Sequence, residues 1–344
     1  MRPVCGILPP YILEKLAEAA DHPDAREAAR ETLTVGADFR QNRIDTPSLA
    51  APAPPTQFVL TRTIYDADHS AVLPGHEVRG EGDPPTLDGT VNRAYESLGL
   101  TFMFFQNIYG RHSIDDANLP LDATAHYRRR FNNALWNGSQ MVFGDGDGVV
   151  FNDFTISHDI AAHELFHGVT QYTAGLVYQD QSGALNESVS DVFGSLVKQY
   201  DRHQTADQAD WLIGAGLFTP AVRGQALRSL KDPGSAFDDP QLGGKDDQPK
   251  HMSGYIHTSA DNGGVHANSG IPNHAFYLVA TAIGGFAWEK AGRIWYETMT
   301  SGQLAENCTF QEFADVTGNT AKRLYDTGSE LAAVEDAWRA VGVL

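Results

Sequence analysis

The sequence from Ala161 to Thr170, AAHELFHGVT, decides how the rest of the chain is interpreted. His163 and His167 are four residues apart, so on a helix their imidazoles lie one above the other and can face a single point. Glu164 lies beside them, and this HExxH spacing is typical of a zinc site with an adjacent general base. The flanking residues are mostly apolar, which indicates a buried helix whose polar side chains need a partner. The alternative is a surface helix that carries two histidines by chance.

The segment from Ser182 to Asp191, SGALNESVSD, overlaps the start of a second helix, which is predicted at 185–201. Its apolar residues recur at helical spacing and leave Asn186, Glu187 and Asp191 on another side. A catalytic zinc ion usually has three protein ligands and keeps one position for water, and two histidines with a glutamate form a known set. We therefore take Glu187 as the third ligand. The alternative is a solvated helix carboxylate. A structural zinc site would favour thiolates, and the chain has only two cysteines.

These segments occur together with NALWNG at 133–138 and DNGGVHANSG at 261–270. In this order they resemble the thermolysin-like family of zinc endopeptidases, from about residue 57 to the end of the chain. The resemblance implies an α+β fold in which the zinc helix joins a β-rich N-terminal domain to a mainly α-helical C-terminal domain. The expected divisions are a helical propeptide with its linker at 1–50, the N-terminal domain through the zinc helix at 51–176, and the C-terminal domain at 177–344.

The resemblance also implies a role for each residue of the active site. The implied zinc ligands are His163, His167 and Glu187. Glu164 would be the catalytic carboxylate, which takes a proton from water and passes it to the leaving amine. The other implied catalytic residues are Tyr178 and His266, which donate to the oxyanion, and Asp261, which orients His266. The residues implied to hold the ligand histidines in place are Asn186 and Asp191.

A substrate cleft is implied by the same resemblance. An endopeptidase must accept many sequences, so its cleft should bind the peptide backbone. The residues implied to do this are Asn133, Ala134 through its carbonyl group, and Arg228, whose guanidinium suits a bidentate hold on a peptide carbonyl. Leu227 and Ile160 would line a pocket for an apolar side chain just after the cleaved bond. The alternative for such residues is core packing, which we prefer for Phe151.

Residues 1 to about 43 form a separate unit with two helical patterns, one after Pro10 and one from Asp24 to Phe39. A helix pair this small has no core of its own and must dock elsewhere. The prolines between 45 and 56 predict an extended linker in which we expect cleavage. The arrangement is similar to the short propeptide of protealysin-type members of the family, which implies a zymogen inhibited by its own propeptide. The alternative is a plain N-terminal extension.

The N-terminal sequence from Arg2 to Gly6, RPVCG, resembles the cysteine-switch segment of matrix metalloproteinase zymogens. In such a switch a thiolate takes the open position on zinc. Cys5 is therefore a hypothetical zymogen switch in this chain. The alternatives are that Cys5 is an exposed thiol and that residues 7–11 block the cleft.

Calcium is an expected departure from the family. Many members bind paired calcium ions through carboxylates that include one on the helix after the third zinc ligand, where this chain has Lys198. An ammonium group cannot ligate a cation, so we expect this site to be lost and Lys198 to pair with Asp159. The loop GDGDG at 144–148 lacks the spacing of an EF-hand and is interpreted as a turn.

The remaining elements follow from periodicity and turn residues. Strands are predicted at 58–65, at 71–73 and within 124–143, with a loop at 75–88. A helix is predicted from Val91 to Tyr109. Further helices are predicted at 185–201, 270–283, 287–300, 309–324 and 329–341, and Thr309 with Glu312 has the spacing of a capping box.

Composition limits the function of this chain of 344 residues. Acidic residues exceed basic ones by 19, which disfavours nucleic acid as a partner. No apolar run approaches the roughly 20 residues that cross a bilayer, so no membrane partner is expected. Two prolines interrupt the first apolar stretch, so we expect no secretory signal and synthesis in the cytoplasm. The family is mostly exported, and an extracellular location would require a non-standard route.

The sequence thus predicts a zinc-dependent endopeptidase made as a precursor, with protein and peptide substrates and its own propeptide as an intramolecular inhibitor. A catalytically silent peptide-binding protein on the same scaffold is the alternative, and it is disfavoured because every residue that the chemistry needs is present. Another zinc hydrolase, such as an aminopeptidase, would need acidic groups that hold a free amino terminus. No motif of that kind is evident.

Overall fold

The computed structural model describes residues 6–44, 57–326 and 328–344. Its first two elements are helices, α1 (Pro10–Ala19) and α2 (Pro23–Ile44). Pro10 lies in the first turn of α1, where a fixed φ suits the helix and the missing N–H would have had no helical partner. The second helix runs five residues beyond its predicted end. The linker predicted at 45–56 lies outside the described residues.

A five-stranded sheet forms the centre of the N-terminal half. Its strands are β1 (Arg62–Asp66), β2 (His76–Arg79), β3 (Leu121–Ala125), β4 (Ala134–Trp136) and β5 (Met141–Phe143). Their order across the sheet is β2-β1-β3-β5-β4. β1, β3 and β5 are parallel, whereas β2 pairs antiparallel with β1 and β4 pairs antiparallel with β5. β4 is therefore an edge strand, and the carboxyl ends of three parallel strands lie at the same end of the sheet.

The strand predicted at 71–73 is wrong, and β2 forms within the predicted loop at 75–88. Residues 71–73 follow a turn in which Asp68 and His69 have positive φ angles of 49° and 57°. They also precede Pro74, which has no N–H to donate to a strand ladder. Val78 is the only apolar residue of β2, so this exposed edge strand lacks the alternation by which strands are recognised.

Three helices pack together around the predicted active site: α3 (Gly89–Tyr109), the predicted zinc helix α4 (His158–Tyr172), and α5 (Asp180–Asp201). Each contributes one phenylalanine to a buried stack. The ring centroids of Phe166 and Phe193 are 4.2 Å apart, and those of Phe105 and Phe166 are 5.7 Å apart. Aromatic pairs of this kind contribute about 0.5–1.5 kcal/mol beyond their buried area. The stack fixes α4 between its neighbours.

Close contact between α4 and α5 depends on Gly194. A Cβ atom at this position would lie 2.7 Å from the carbonyl oxygen of Asp159, so only glycine allows the two backbones to approach this far. Glu187 lies seven residues earlier on the same face of α5. The approach therefore brings Glu187 against the histidines of α4.

The C-terminal half is mainly helical. Besides α5, its helices are α6 (Asp261–Asn268), α7 (Gly270–Ile283), α8 (Ala291–Thr300), α9 (Phe310–Tyr325) and α10 (Ser329–Ala340). Between α5 and α6 lie two short hairpin pairs, β6 (Leu212–Ile213) with β7 (Arg228–Ser229) and β8 (Asp238–Asp239) with β9 (Gly244–Lys245). Two 3-10 helices are at Pro240–Leu242 and Met252–Gly254. The capping box predicted at α9 is confirmed.

Within the described ranges, no helix is both long enough and apolar enough to cross a membrane.

The two N-terminal helices dock on both halves of the chain. The N–H of Asp21, which lies between α1 and α2, donates to Gln241 Oε1 in the C-terminal half at 3.1 Å. Thr32 Oγ1 in α2 accepts the Asn132 N–H at 3.0 Å, and Val35 packs into a small core of the N-terminal half. This pair of helices thus obtains its core from the rest of the protein, as its size requires.

Candidate active site

Three side chains from α4 and α5 converge on one point. The Nε2 atoms of His163 and His167 are 3.1 Å apart. Glu187 Oε2 lies 3.5 Å from His163 Nε2, and Glu187 Oε1 lies 3.4 Å from His167 Nε2. A tetrahedral zinc ion with bonds of about 2.0–2.2 Å separates its ligand atoms by about 3.3 Å. The three predicted ligands are therefore brought together at separations that fit zinc.

The hydrogen bonds on the far side of each imidazole also fit a metal centre. His167 Nδ1 lies 2.8 Å from Asn186 Oδ1, and His163 Nδ1 lies 2.8 Å from Asp191 Oδ1. A neutral imidazole at either position carries its proton on Nδ1, so that its Nε2 presents a lone pair to the other histidine and to Glu187. Such a buried set of acceptors is unfavourable without a cation. The donor set therefore fits a zinc ion, which would be held by His163, His167 and Glu187.

The protonation states of the ligands favour metal binding as well. Burial lowers the pKa of His167 to about 4, so its imidazole is neutral and can ligate. Burial opposes ionisation of Glu187, but the neighbouring His266, His167 and His163 outweigh it and lower the pKa of this carboxyl group. The site thus offers a neutral imidazole at His167 and a carboxylate at Glu187.

Glu164 lies beside the ligands and is completely buried. It offers an oxygen within 4.8 Å of the two imidazole nitrogens. Burial, reinforced by the charge of Glu187, raises the pKa of Glu164 well above its usual value, although the hydrogen bond from the Trp136 N–H to Glu164 Oε2 acts in the opposite direction. A raised pKa suits a carboxyl group that takes up and gives back a proton.

Tyr178 and His266 meet on the other side of Glu187. The Tyr178 hydroxyl donates to Glu187 Oε1 and lies 3.2 Å from His266 Nε2. His266 Nδ1 lies 2.8 Å from Asp261 Oδ1, and the His266 N–H donates to Asp261 Oδ2 at 3.1 Å. The turn at 261–264, in which all four φ angles are positive, folds Asp261 back onto His266. The structure thus brings together all three residues predicted here.

His266 is a donor in this environment. Burial opposes its charged form, but Asp261 and then Glu187 raise the pKa of His266 to about 9. Both ring nitrogens therefore carry hydrogen at neutral pH, and Nε2 can donate into the site.

Arg228 and Asp191 form a buried pair behind His163. Arg228 Nε and Nη2 donate to the two oxygens of Asp191 at 2.8 and 2.9 Å. The bidentate hold expected on a peptide carbonyl is thus wrong, because the guanidinium fork matches the two oxygens of a carboxylate and a carbonyl offers only one. Asn273 Nδ2 also donates to Asp191 at 2.9 Å. Asn273 is not predicted from the sequence. The sequence feature that could have identified it is a polar residue on the buried side of the otherwise apolar helix α7.

A segment of the chain itself occupies the cleft in front of these residues. Gly6 forms an antiparallel bridge with Leu135 of the edge strand β4. The Ile7 N–H donates to the Ala134 carbonyl at 3.1 Å, and Arg228 Nη1 donates to the Ile7 carbonyl at 2.9 Å. Two of the predicted backbone-binding residues, Ala134 and Arg228, therefore contact this segment at Ile7. The third, Asn133, contacts it at Leu8.

Asn133 holds the next residue of the segment. Its Oδ1 accepts the Leu8 N–H at 3.0 Å, and its Nδ2 donates to the Leu8 carbonyl at 3.4 Å. Beyond Gly6 the cleft continues as a cavity of about 280 Å³ whose lining includes Asn133, Tyr178 and His266. Cys5 lies outside the described residues, so the hypothesis of a thiolate switch stays a prediction.

The other predicted site residues are also placed. Leu227 and Ile160 are buried in the main core, and Phe151 packs against Phe154 and Phe218, as the preferred core reading expected. In α5, Lys198 Nζ lies 2.9 Å from Asp159 Oδ2, so the predicted pairing is confirmed.

Comparison with known families agrees with this geometry. Residues 83–171 match the family described as "Thermolysin metallopeptidase, catalytic domain". Residues 174–343 match its companion, "Thermolysin metallopeptidase, alpha-helical domain". The two matches together cover well over half of the chain and meet at the end of the zinc helix.

Individual relatives are similar over nearly the whole length. An "Extracellular metalloprotease" of Pectobacterium carotovorum subsp. carotovorum is 50% identical over 99% of this chain and 97% of its own sequence. "Protease PrtS" of Photorhabdus sp. (strain Az29) is 45% identical over 98% of this chain and 92% of its own.

A solved structure extends the comparison to the N-terminal helices. It is described as "Precursor of Protealysin, Metalloproteinase from Serratia proteamaculans" and superimposes with a TM-score of 0.90 at 48% identity, covering 99% of this chain and 100% of its own. The two-domain fold, the zinc-type donor set and these relatives lead to one conclusion. The chain belongs to the thermolysin family of metalloendopeptidases and is of the protealysin type.

Proposed function

We propose that this chain is the precursor of a zinc-dependent endopeptidase and that its N-terminal segment, residues 1–50, inhibits it by filling the substrate cleft. The observation that carries the proposal is the pairing of residues 6–8 with β4 and with Arg228. An extended peptide that adds to an exposed sheet edge gains main-chain hydrogen bonds whatever its sequence. That mode of binding suits an enzyme that accepts many substrates, and it suits an inhibitor that imitates one.

The register of this segment supports a substrate orientation for the cleft. The Ile7 N–H donates to the Ala134 carbonyl and lies close enough to Glu164 to act on the pKa of that carboxyl group, and the Ile7 carbonyl accepts from Arg228. The bond from Gly6 to Ile7 therefore marks the position of the peptide bond to be hydrolysed. Ile7 is fully buried, and it stands at the position just after that bond.

A preference for hydrophobic residues follows from this register. A cleft that buries Ile7 should accept leucine, phenylalanine or valine there and reject charged side chains, whose desolvation is costly. Leu227 and Ile160 belong to the same core as Ile7 and are the residues that we propose to line this pocket.

The chemistry divides among the residues as follows. When bound, zinc polarises a water molecule and the carbonyl group that is attacked. Glu164 takes the proton of the water and delivers it to the leaving nitrogen, where Ile7 now places its N–H. Tyr178 and His266 donate hydrogen bonds to the oxygen on which negative charge develops, and Asp261 holds His266 in position for this.

Each part of the chain has its own role in this proposal. Residues 51–176 would form the N-terminal catalytic domain through the zinc helix, and residues 177–344 the helical domain that supplies Glu187 and His266. Cleavage within about 44–56 would release the inhibitor. The similarity to the extracellular metalloprotease of Pectobacterium supports action outside the cell on protein and peptide substrates.

Inhibition by the segment is tested with a charged residue at its centre. Ile7→Glu in the full-length precursor should raise the initial rate of hydrolysis of a blocked internal peptide at least tenfold, because a buried unpaired carboxylate disfavours docking. Lys15→Glu makes a larger change in charge on the exposed surface of α1 and should stay latent. Intact mass at the start of each assay shows that both proteins are unprocessed, and a zinc chelator should abolish both rates.

An Ile7→Glu precursor that is intact and as latent as the parent would refute cleft blockage by this segment. A protein that stays inactive after removal of the segment, on casein and on the blocked peptide, would favour the catalytically silent alternative.

A further inference from the structure

A second group of metal-ligating side chains lies in the N-terminal half. His69, His126 and Asp145 each offer a ligand atom, and these atoms all lie within 4.8 Å of one another. His126 Nδ1 is 2.9 Å from Asp145 Oδ1, and His69 Nδ1 is 3.3 Å from Asp145 Oδ2. Two ligand atoms on one tetrahedral zinc ion are about 3.3 Å apart. The spacing thus approaches that of a metal site without rearrangement of the backbone.

The sheet topology explains why these residues meet. His69 follows β1 by three residues, His126 directly follows β3, and Asp145 follows β5 by two residues. The three strands are adjacent and parallel, so their carboxyl ends open onto the same crevice, which is where ligands commonly bind in open sheets.

The two histidine loops are joined by the backbone. The His69 N–H donates to the His126 carbonyl at 2.9 Å, and the Arg128 N–H donates to the Ser70 carbonyl at 3.0 Å. His69 and His126 both have positive φ angles, 57° and 54°, which turn their side chains toward Asp145. The cluster is therefore held by the fold and does not arise from flexible surface side chains that happen to be near.

Asp88 supplies the outer hydrogen bond that metal-binding histidines usually make. Its Oδ2 lies 2.8 Å from His126 Nε2, while its Oδ1 caps α3 by accepting the Thr90 N–H at 2.8 Å. A proton held on Nε2 by this carboxylate leaves Nδ1 of His126 with its lone pair toward Asp145 and His69. An outer carboxylate of this kind orients the ring and increases its basicity.

We propose that His69, His126 and Asp145 bind a second divalent transition-metal ion of the zinc, cobalt or nickel class. Two imidazoles and one carboxylate form a donor set that such ions prefer over calcium or magnesium. The side chains of His69, His126 and Asp145 are 38%, 17% and 26% exposed, so an ion can enter and keep water at its remaining position. Bound there, it would tie together the loops after β1, β3 and β5.

The local field favours a cation at this point. His126 lies between two carboxylates, with Nδ1 2.9 Å from Asp145 Oδ1 and Nε2 2.8 Å from Asp88 Oδ2. The negative charges of Asp145 and Asp88 attract a cation placed among His69, His126 and Asp145.

The test counts zinc ions in the full-length precursor. Glu164→Gln serves as the parent, because the loss of the catalytic carboxylate keeps the chain intact and leaves the three catalytic ligands in place. After dialysis against buffered zinc, native mass spectrometry and elemental analysis should give two zinc ions per chain in the parent and one in His69→Asn. Asparagine tolerates the positive φ of this position, so the loop should keep its conformation.

His203→Asn is the matched control. His203 is another exposed histidine with a positive φ angle, 51°, and lies outside both clusters, so this variant should keep two zinc ions. Zinc should also raise the melting temperature of the parent and of His203→Asn by more than that of His69→Asn.

Equal zinc counts in His69→Asn and the parent would overturn the proposal. A lower melting temperature of His69→Asn in chelator would do so too, because the loss of zinc would then reflect a damaged loop. Failure of the catalytic site would lower the counts of all three proteins equally and leave their difference unchanged, so the two proposals are tested separately.

Discussion

Lys198 and Asp159 form a buried ion pair that joins α5 to the first turn of the zinc helix, with Nζ 2.9 Å from Oδ2. Lys198 is only 2% exposed, and its Nζ lies equally close to Asp210 Oδ1. Burial works against the charged ammonium group, but Asp159 and Asp210 more than compensate and raise the pKa of Lys198. A monovalent side chain thus stands between two carboxylates that would otherwise suit a divalent cation.

We therefore expect the folded protein to depend little on calcium. At fixed zinc, removal of calcium with a selective chelator should leave the melting temperature unchanged, because Lys198 already neutralises the carboxylates. Differential scanning calorimetry with and without calcium measures this. A large fall that only calcium reverses would show that a calcium site persists.

Replacement of the lysine by an uncharged side chain should be costly. Lys198→Met leaves Asp159 buried without its cation, and breaking a buried pair in this way typically costs about 3–5 kcal/mol. Lys250→Met is the matched control, since Lys250 and Asp232 form an exposed pair, which typically contributes about 0–1 kcal/mol. Urea unfolding of both variants gives the free energies, and equal losses would contradict the assigned role of burial.

Glu164→Gln should keep the fold and bound zinc but lose turnover. The amide preserves the shape of the side chain but cannot carry the proton from water to the leaving nitrogen. Zinc content, circular dichroism and hydrolysis of a blocked peptide are measured together on released enzyme. If the variant kept a tenth of the parent activity, Glu164 would not be the proton carrier. The Glu164→Gln precursor should also stay uncut within 44–56 if processing is autocatalytic.

His266→Ala should impair the chemical step more than substrate binding. A hydrogen bond made mainly in the transition state typically contributes about 10²- to 10³-fold to kcat. Steady-state kinetics should therefore show a fall in kcat of this size with little change in KM. A variant in which only KM rises would assign His266 to substrate binding. Asp261→Asn, which leaves the imidazole present but poorly oriented, should give a smaller fall in kcat.

Cleavage should depend on the side chain just after the hydrolysed bond. In a pair of blocked peptides that differ only at this position, leucine should give a kcat/KM at least a hundredfold above that of aspartate, because the pocket that buries Ile7 cannot solvate a charge. Product analysis by mass spectrometry identifies the bond. Similar values for the two peptides would disprove the hydrophobic pocket.

The zinc centre could be predicted because its information is local. His163 and His167 are placed by helical periodicity within one element, and Glu187 is placed by the next helix. The pairing of Lys198 with Asp159 was predictable for a related reason, since an unusual residue at one helical position needs a nearby opposite charge. In each case the spacing of residues along α4 and α5 determines which side chains face each other.

The rest depends on how distant parts of the chain meet. Asn273 contacts Asp191 across 82 residues, and no periodicity connects them. The sequence of the loop at 144–148 indicates only a turn. The parallel order of β1, β3 and β5 is what places Asp145 next to two histidines. The helical pattern predicts α1 and α2. It does not predict that residues 6–8, which precede α1, pair with the edge of β4. That edge is defined only when the whole sheet has formed.

The segment at residues 6–8 is part of the same chain as the cleft that it fills, so its competition with substrate does not depend on the amount of protein. A tethered ligand acts at an effective concentration that, for short flexible connections, is on the order of millimolar, and dilution does not change it. Under the proposed inhibition, weak pairing would be enough for latency, and the precursor would remain silent at any expression level. One cut in the connection would turn the proposed inhibitor into a free peptide. The fraction of enzyme that this peptide occupies falls as its concentration falls. The enzyme would thus be activated by dilution after the cut, with no change in the cleft.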